Sequence, residues 1–341
     1  MRGAGDAELR LSTGLFFDGV GAGRAPKSGA TARIRAYYDV IPDRESRLTL
    51  DRTNTNAMDD PPPRGTPVKR VLLCLAAALV ATVTLAEPLT GQWRGYGRRW
   101  VTPRQPDEAA VPGEFTFCRL QYTSVRRERH GQGWRTDYPD GDHNLPFRAS
   151  QMTTLSVAKD EREDPFHAVV TATDNGLYAC PFIFASDVGT ARFSELEAVR
   201  LRDYLLKGGF LWADDFWGDI AFRNWSIEME RVLPEYAIEE IPMDHPIFHT
   251  LYSVDSIPQI PSIQYWRQSG RVGTSERGSG SAIYRMYGIA DDSGRLMVIM
   301  THNTDIADGW EREGEEDEFF YRFSPNAYAI GFNVIIYFMT H

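Results

Sequence analysis

The stretch GGFLWADDFWGD, residues 208–219, joins a run of apolar residues directly to two adjacent aspartates. The segment before it starts with Ser194 and has Glu197 three residues later, which is the capping-box pattern of a helix N-terminus. The predicted apolar side of that helix consists of Leu196, Val199, Tyr204 and Leu206. The run GFLWA is typical of a strand covered on both faces. Another helix is predicted at residues 219–233, because Pro234 ends it.

Predicted strands and helices alternate from residue 114 to the end of the sequence. The predicted strands are residues 114–122, 180–186 and 209–214, followed by two strands around a turn at residues 291–294. The predicted helices are residues 144–157, with Asn144 as the cap, 194–207, 219–233 and 325–341. This alternation favours an α/β fold in which a mostly parallel sheet carries helices on both faces.

The residues before this pattern divide into three parts. Residues 1–66 mix Gly, Pro and Arg without sustained apolar periodicity, and they are predicted to be disordered or to be upstream sequence ahead of a true start at Met58. Residues 67–86 are predicted to be a signal peptide or an N-terminal anchor. Residues 87–113 are polar and contain Gly and Pro, as expected of a linker to a single domain at residues 114–341.

The signal-like part determines where the protein is expected to reside. Lys69 and Arg70 precede an uncharged, mostly apolar run, residues 71–86, that ends in Ala86. This is the layout of a secretory signal cleaved near Ala86. The run is shorter than the roughly 20 residues that a spanning helix needs. The sequence therefore favours a periplasmic or secreted protein, and an uncleaved inner-membrane anchor is the alternative.

The charge balance limits the partners of the exported part. Residues 87–341 carry 25 basic and 38 acidic side chains, a net charge near −13. Nucleic-acid surfaces need clustered Lys and Arg, so this acidity excludes a nucleic-acid partner. A small ligand or another envelope protein is the expected partner. Membrane contact is expected only through the N-terminal segment, if it stays uncleaved.

The cysteines of the predicted domain are Cys118 and Cys180, each within a strand-like segment. In an oxidising compartment they can form a disulfide if their strands are neighbours. Alternatively they are buried free thiols that pack as small apolar side chains. No Cys/His spacing indicates a zinc site.

Three predicted loops leave carboxyl ends of strands, where open parallel sheets bind ligands. Their sequences are WRTDYP, DDFWGD and THNTDIADGW, and each contains acids and an aromatic residue. This coincidence predicts a ligand site. Its candidate residues are Trp134, Arg135, Asp137, Asp214, Asp215, Trp217, Asn303 and Asp305.

The acid pair Asp214 and Asp215 has three interpretations. The pair can act in general acid–base catalysis, with one pKa raised by the neighbouring carboxylate. It can bind calcium or magnesium together with Asp305, because these ions prefer oxygen ligands. It can also be structural, with one acid capping the helix near Asp219 and the other accepting hydrogen bonds from loop amides. Arg135 is expected either to neutralise the acids or to recognise an anionic group.

The motifs YLLKGGFLWADDFWG, HPIF, NTDIADGW and AYAIGFNVIIYFMTH resemble, in this order, a bacterial domain-of-unknown-function family numbered 4159. The resemblance covers about residues 114–341. It implies a divergent class I glutamine amidotransferase-like domain with a flavodoxin-like sheet, and it implies no activity. The amidotransferase nucleophile is a Cys after a central strand, where this sequence has Asp214 and Asp215, and His302 has no thiol to activate.

Two functions are compatible with these observations. The first is an exported module that binds a ligand or a partner protein through a degenerate amidotransferase-like pocket. The alternative is an envelope hydrolase that acts on a glycan or peptide through Asp214 and Asp215, with His302 as a further catalytic candidate. No nucleophile–base pair can be identified from the sequence, which favours the first.

Overall fold

The computed structural model describes residues 103–106 and 113–341. The predictions for residues 1–66 with the start at Met58, for the signal at residues 67–86 and for most of the linker lie outside the described residues. Within the described part of the chain, no helix is long and apolar enough to cross a membrane.

The described residues form short strands and helices that alternate along the chain. The strands are β1 (Phe117–Gln121), β2 (Thr123–Ser124), β3 (His167–Thr171), β4 (Phe182–Ala185), β5 (Ala191–Arg192), β6 (Phe210–Phe216), β7 (Glu239–Glu240), β8 (Arg285–Ala290) and β9 (Leu296–His302). The α-helices are α1 (Asp140–Met152), α2 (Glu195–Leu206), α3 (Gly218–Val232), α4 (Ile263–Gln268), α5 (Asp308–Glu311) and α6 (Asp317–Thr340).

The main sheet has seven strands in the order β3–β1–β4–β6–β9–β8–β7. The first five are parallel, whereas β8 pairs antiparallel with β9 and β7 antiparallel with β8. Numbered along the chain, the five parallel strands lie in the order 2-1-3-4-5. The predicted α/β fold with a mostly parallel sheet is confirmed.

Helices cover both faces of this sheet because the strand side chains alternate between two cores. In β4, Phe182 and Phe184 belong to one core, which also contains residues of α1, α4, α5 and α6. Ile183 belongs to the other core, with residues of α2 and α3. A strand that is apolar on both faces has to be covered by helices on both faces. The apolar sequence of β4 therefore fits its position in the interior of the sheet.

Strand β6 contains an irregularity at its acid pair. Ala213 pairs with Met300 and Phe216 pairs with His302, so β6 has one residue more than β9 over this interval. Such a β-bulge locally bends a strand and redirects side chains, often beside functional sites. Asp215 adopts a left-handed backbone conformation there, with φ of +53°. The bulge allows two sequential aspartates to point into different surroundings.

Cys118 in β1 and Cys180, two residues before β4, are joined by a disulfide, with the two Cα atoms 6.0 Å apart. Both cysteines are fully buried. Their strands are parallel neighbours in the sheet. The bond therefore links β1 to the residues that lead into β4. The two cysteines are 62 residues apart in the sequence, so the bond closes a long loop.

The helix predicted from Asn144 begins earlier than expected. Helix α1 starts at Asp140, and Pro139 is its N-terminal flanking residue, without a side-chain cap. Asn144 lies inside the helix and donates a hydrogen bond from Nδ2 to the carbonyl of Trp310 at 2.8 Å. Its amide thus joins α1 to α5 and does not start a helix.

Candidate functional site

A cavity of about 380 Å³ lies at the carboxyl ends of the parallel strands. Its walls come from the segments that follow β2, β4, β6 and β9, and from the region around α4. The acidic residues that line it are Glu128, Asp137, Asp187, Asp215, Glu276, Asp305 and Asp308. Among the described lining residues, only Arg129 and Arg312 are arginines, so negative charge predominates.

The two members of the acid pair have different environments. Asp214 accepts hydrogen bonds from Thr301 Oγ1 and, at 2.9 Å, from the backbone N–H of Ala307. Its carboxylate does not line the cavity. Asp215 lines the cavity and accepts a hydrogen bond at Oδ1 from Trp217 Nε1, whereas no described residue donates a hydrogen bond to its Oδ2. Asp214 is therefore bound structurally, and Asp215 presents a free oxygen to the cavity.

Asp137 enters the cavity from the long loop after β2. Its Oδ2 accepts a hydrogen bond of 2.6 Å from Ser186 Oγ, directly after β4. Its backbone carbonyl accepts a hydrogen bond of 2.8 Å from the N–H of Gly141, in the first turn of α1. The side chain is only 4% exposed. These contacts fix one carboxylate oxygen and leave Oδ1 without a donor among the described residues.

Asp305 and Asp308 enter from the segment after β9. Asp305 Oδ1 accepts a hydrogen bond of 2.9 Å from the backbone N–H of Asp308. Asp308 accepts hydrogen bonds from the backbone N–H of Ile263 at 2.6 Å and from Arg312 Nε at 3.1 Å. One carboxylate oxygen each from Asp137, Asp305 and Asp308 lie within 4.8 Å of one another. Three buried carboxylates from two chain segments thus converge on one point.

Burial shifts the acid–base equilibria of these groups. Burial, opposed by Arg119 and assisted by Asp308, raises the pKa of Asp137 to about 6. Burial also raises the pKa of Asp187 to about 7. For Asp215 and Asp305, burial and then the nearby Asp137 carboxylate hold the pKa well above its ordinary value. The cavity therefore favours uptake of protons or of another cation.

The backbone around the cavity is unusual. Among the described residues that are not glycine, four with positive φ line the cavity: His130, Asp137, Asp187 and Asp215. Asp and Asn tolerate the left-handed region better than most residues, yet it remains uncommon for them. Such conformations cluster at functional sites because the surrounding structure has to enforce them. Three of the four are aspartates, whose side chains line the cavity.

Sequence reasoning missed several residues of the cavity. Asp187 follows β4 and accepts a hydrogen bond of 2.8 Å at Oδ2 from the N–H of Gly133. It is a strand-end acid, but its loop lacks the aromatic residue that singled out the other loops. Glu276 lies between α4 and β8, and its Oε1 accepts a hydrogen bond of 2.8 Å from the N–H of Ser262.

The other candidate residues lie around the cavity in different roles. Trp217 lines it. Trp134 and Arg135 are not among its lining residues, and the Arg135 guanidinium lies 4.9 Å from the ring centre of Trp134. Asn303 accepts a hydrogen bond of 2.7 Å from the N–H of Gly218, the first residue of α3. Since Trp217 precedes α3 without a side-chain cap, this N–H is satisfied by Asn303 and by neither Asp214 nor Asp215.

His302 lies outside the cavity in an aromatic environment. Its ring centre is 5.0 Å from that of Phe216 and 4.8 Å from that of Phe222. Burial lowers the pKa of His302 to about 4, so the imidazole is neutral at physiological pH. The structure does not bring this histidine together with the acids that line the cavity.

Comparison with known proteins identifies a family without an assigned activity. Residues 116–339 match the family described as Domain of unknown function (DUF4159). No curated protein matches the chain. The matched span nearly coincides with the predicted domain at residues 114–341. Any function must therefore be argued from the site itself.

Proposed function

The chain belongs to the DUF4159 family, and we propose that it is an exported ligand-binding protein whose acid-lined cavity binds a calcium ion. The domain is proposed to be a degenerate, flavodoxin-like glutamine amidotransferase relative without amidotransferase activity. The strand order 2-1-3-4-5 supports the flavodoxin-like assignment. The carboxyl end of β6 contains Asp214 and Asp215 and no cysteine.

The observation that carries this proposal is the convergence of Asp137, Asp305 and Asp308. Oxygen ligands lie 2.3–2.6 Å from Ca²⁺, so two ligands of one ion are at most about 5 Å apart. The three carboxylate oxygens, within 4.8 Å of one another, satisfy this limit. Asp215, which is 8% exposed, adds an independent unpaired carboxylate oxygen in the same cavity. These residues would hold the ion.

The chemistry of the donors favours a hard cation. All the converging groups are carboxylates, which suit Ca²⁺ and Mg²⁺ and disfavour softer metals. Ca²⁺ tolerates irregular coordination, whereas Mg²⁺ requires near-octahedral geometry. Ligands from separate loops, held by different partners, fit the more tolerant ion. Magnesium is expected to bind the same site more weakly.

The proposed location is the periplasm or the extracellular space, with an inner-membrane anchor as the alternative. The Cys118–Cys180 disulfide supports export, because such bonds persist in oxidising compartments. The signal-like residues 67–86 support it as well. The proposed partner is a small ligand or another envelope protein.

The hydrolase alternative would use the same cavity with different residues from those expected. Asp214 is bound on both oxygens, so Asp215 would act from the predicted pair. The pKa of Asp187, raised to about 7 chiefly by burial, would keep a fraction of this carboxyl protonated at neutral pH. A protonated and an ionised carboxyl in one cavity are the elements of general acid–base catalysis on a glycan or peptide.

Calorimetric titration of calcium into the chelator-treated full-length protein tests the proposal. We expect one Ca²⁺ per chain, with a Kd on the order of 10⁻⁴ M as in extracellular calcium modules. Asp305→Asn is expected to weaken binding at least tenfold. Asp219→Asn, an exposed acid in the first turn of α3, is the matched control and should bind as the wild type does. Equal binding by all three proteins, or no binding, would refute the calcium site.

A further inference from the structure

Arg119 is a fully buried charged residue within strand β1. Its guanidinium lies 5.2 Å from the ring centre of Phe184 on the neighbouring strand β4. Removing a charge from water is energetically costly, and such a group is tolerated only when it is paired and hydrogen-bonded. A residue of this kind in a central strand calls for a specific explanation.

The guanidinium of Arg119 joins α1 to the loop before it. Nε donates to both carboxylate oxygens of Asp142, at 2.8 and 2.9 Å, and Nη2 also donates to Asp142. Nη1 donates to the backbone carbonyls of Thr136, at 2.7 Å, and of Trp134, at 3.2 Å. Asp142 is itself fully buried. Arg119 therefore uses one edge for an ion pair and the other for two loop carbonyls.

The hydrogen bond to Thr136 holds the backbone next to Asp137, a residue of the proposed calcium site. The carbonyl of Thr136 belongs to the peptide unit that enters Asp137, whose φ is +66°. A Cβ on Gly141 would lie 3.2 Å from Asp137 Cβ and 3.8 Å from Arg119 Nη2, so the loop is packed tightly against the start of α1. The guanidinium of Arg119 thus holds the loop in the conformation that directs Asp137 into the cavity.

We propose that Arg119, oriented by Asp142, is the positioning residue that fixes Asp137 in the cavity. Arg119 does not line the cavity, and its hydrogen bonds reach the site through the backbone carbonyls of Trp134 and Thr136. The inference rests on the proposed calcium-binding function. Its structural part, the fixing of the loop, is measurable without any ion.

Lysine cannot replace arginine in this role. The planar guanidinium binds a carboxylate with one edge while its remaining N–H groups reach other acceptors in fixed directions. An ammonium keeps the charge but is a compact point donor on a flexible chain. Arg119→Lys therefore retains a cation beside Asp142 and loses the simultaneous hold on the carbonyls of Trp134 and Thr136.

Hydrogen–deuterium exchange of the full-length Arg119→Lys protein without calcium tests the structural part. We expect amide exchange in residues 133–142 to accelerate about tenfold while the rest of the domain changes little. The matched control is Glu228→Gln, which disrupts another fully buried carboxylate, bonded to Arg231 and the N–H of Phe193 on the opposite face. Asp142→Asn, which removes the charge that orients the guanidinium of Arg119, is a second test variant.

Calcium titration of the same proteins tests the functional part. Arg119→Lys is expected to weaken calcium binding about tenfold, and Glu228→Gln is expected to leave it unchanged. In an Asp137→Asn background, Arg119→Lys should weaken binding no further, because the ligand that it positions is already lost.

The outcomes separate the two proposals. Unchanged exchange in residues 133–142 of both Arg119→Lys and Asp142→Asn would overturn the positioning role. An equal loss of affinity with and without Asp137 would also overturn it, because Arg119 would then act elsewhere. Accelerated exchange in a protein whose wild type binds no calcium would support the fixing of Asp137 and refute the calcium site.

Discussion

Trp217 donates a hydrogen bond of 2.8 Å from its indole Nε1 to Oδ1 of Asp215, two residues earlier in the chain. The bond spans the turn between the bulge in β6 and the start of α3. It fixes the carboxylate of Asp215 with Oδ2 left for the cavity. The preceding residue, Asp214, instead binds Thr301 and the N–H of Ala307. The two neighbouring acids therefore have separate roles: Asp214 is structural, and Asp215 faces the cavity.

Asp214→Ala is expected to destabilise the calcium-free protein more than Asp215→Ala. The first substitution leaves two buried donors, Thr301 Oγ1 and the N–H of Ala307, without this acceptor, at a cost of about 1–3 kcal/mol each. The second leaves one buried donor, Trp217 Nε1, without its acceptor. Burial raises the pKa of both carboxyls, to about 7 for Asp214 and well above the ordinary value for Asp215, so ionisation at pH 8 opposes folding at both and the hydrogen bonds decide the difference. Thermal melting at pH 8 compares the two variants. Equal losses of stability would contradict the separation of roles.

The calcium-free protein is expected to lose stability as the pH rises from about 4 to about 7.5. The pKa of Asp137 is raised to about 6 and that of Asp187 to about 7, in both cases chiefly by burial. Between the unfolded value, near 3.8, and these values the folded state binds more protons at both carboxyls, so their contribution to stability is complete below this window and falls through it. His302, whose pKa burial lowers to about 4, acts in the opposite direction but is a single group.

Urea denaturation at several pH values measures this dependence. Asp187→Asn should show a shallower loss, because the amide still accepts from Gly133 and does not ionise. Saturating calcium should also reduce the slope in the wild type, since the ion neutralises the carboxylates. A wild-type slope identical to that of Asp187→Asn would show that this carboxyl does not contribute.

Ser186→Ala is expected to weaken calcium binding about tenfold, since a hydrogen bond to a charged group contributes about 1.5–3 kcal/mol and water can replace part of it. Ser186 Oγ donates to Asp137 Oδ2 and so orients the carboxylate. Ser324→Ala is the matched control, because Ser324 is fully buried and its Oγ has no hydrogen-bond partner among the described residues. Calcium titration should separate the two variants.

Replacing both Cys118 and Cys180 by alanine is expected to lower the free energy of unfolding by about 4 kcal/mol, the chain-entropy value for a loop of this size. The disulfide closes a loop whose two ends are 62 residues apart in the sequence. A thiol assay of the denatured, unreduced full-length chain should detect one thiol, from Cys74. Three thiols would show that the disulfide is absent in solution.

The sequence predicted the arrangement of this fold better than its details. The capping box is present, since Ser194 Oγ accepts from Glu197 N and the Glu197 side chain accepts from Ser194 N. The predicted apolar side of that helix was largely wrong: Leu196 and Val199 are 61% and 58% exposed, whereas Leu201 and Leu205 are buried. Apolar residues lie around much of the helix, so the buried side depends on how α2 meets the sheet.

The candidate site was predictable where it follows from topology. The rule that strand-end loops converge singled out Asp137, Asp215 and Asp305, and the structure brings these three residues to one cavity. It could not distinguish Asp214 from Asp215, because the bulge in β6 and the positive φ of Asp215 have no clear sequence signal. The hydrogen bonds of the buried Arg119 could not be predicted either, because its partners lie 15 to 23 residues away in the sequence.

Anomalous X-ray diffraction from crystals of the full-length protein grown with manganese(II), which shares the oxygen preference of calcium, tests the central claim most directly. The account predicts an anomalous peak between the carboxylates of Asp137, Asp305 and Asp308, with metal–oxygen distances of about 2.0–2.6 Å. An intact cavity without a peak at saturating manganese, or a peak bound only by surface acids, would contradict it.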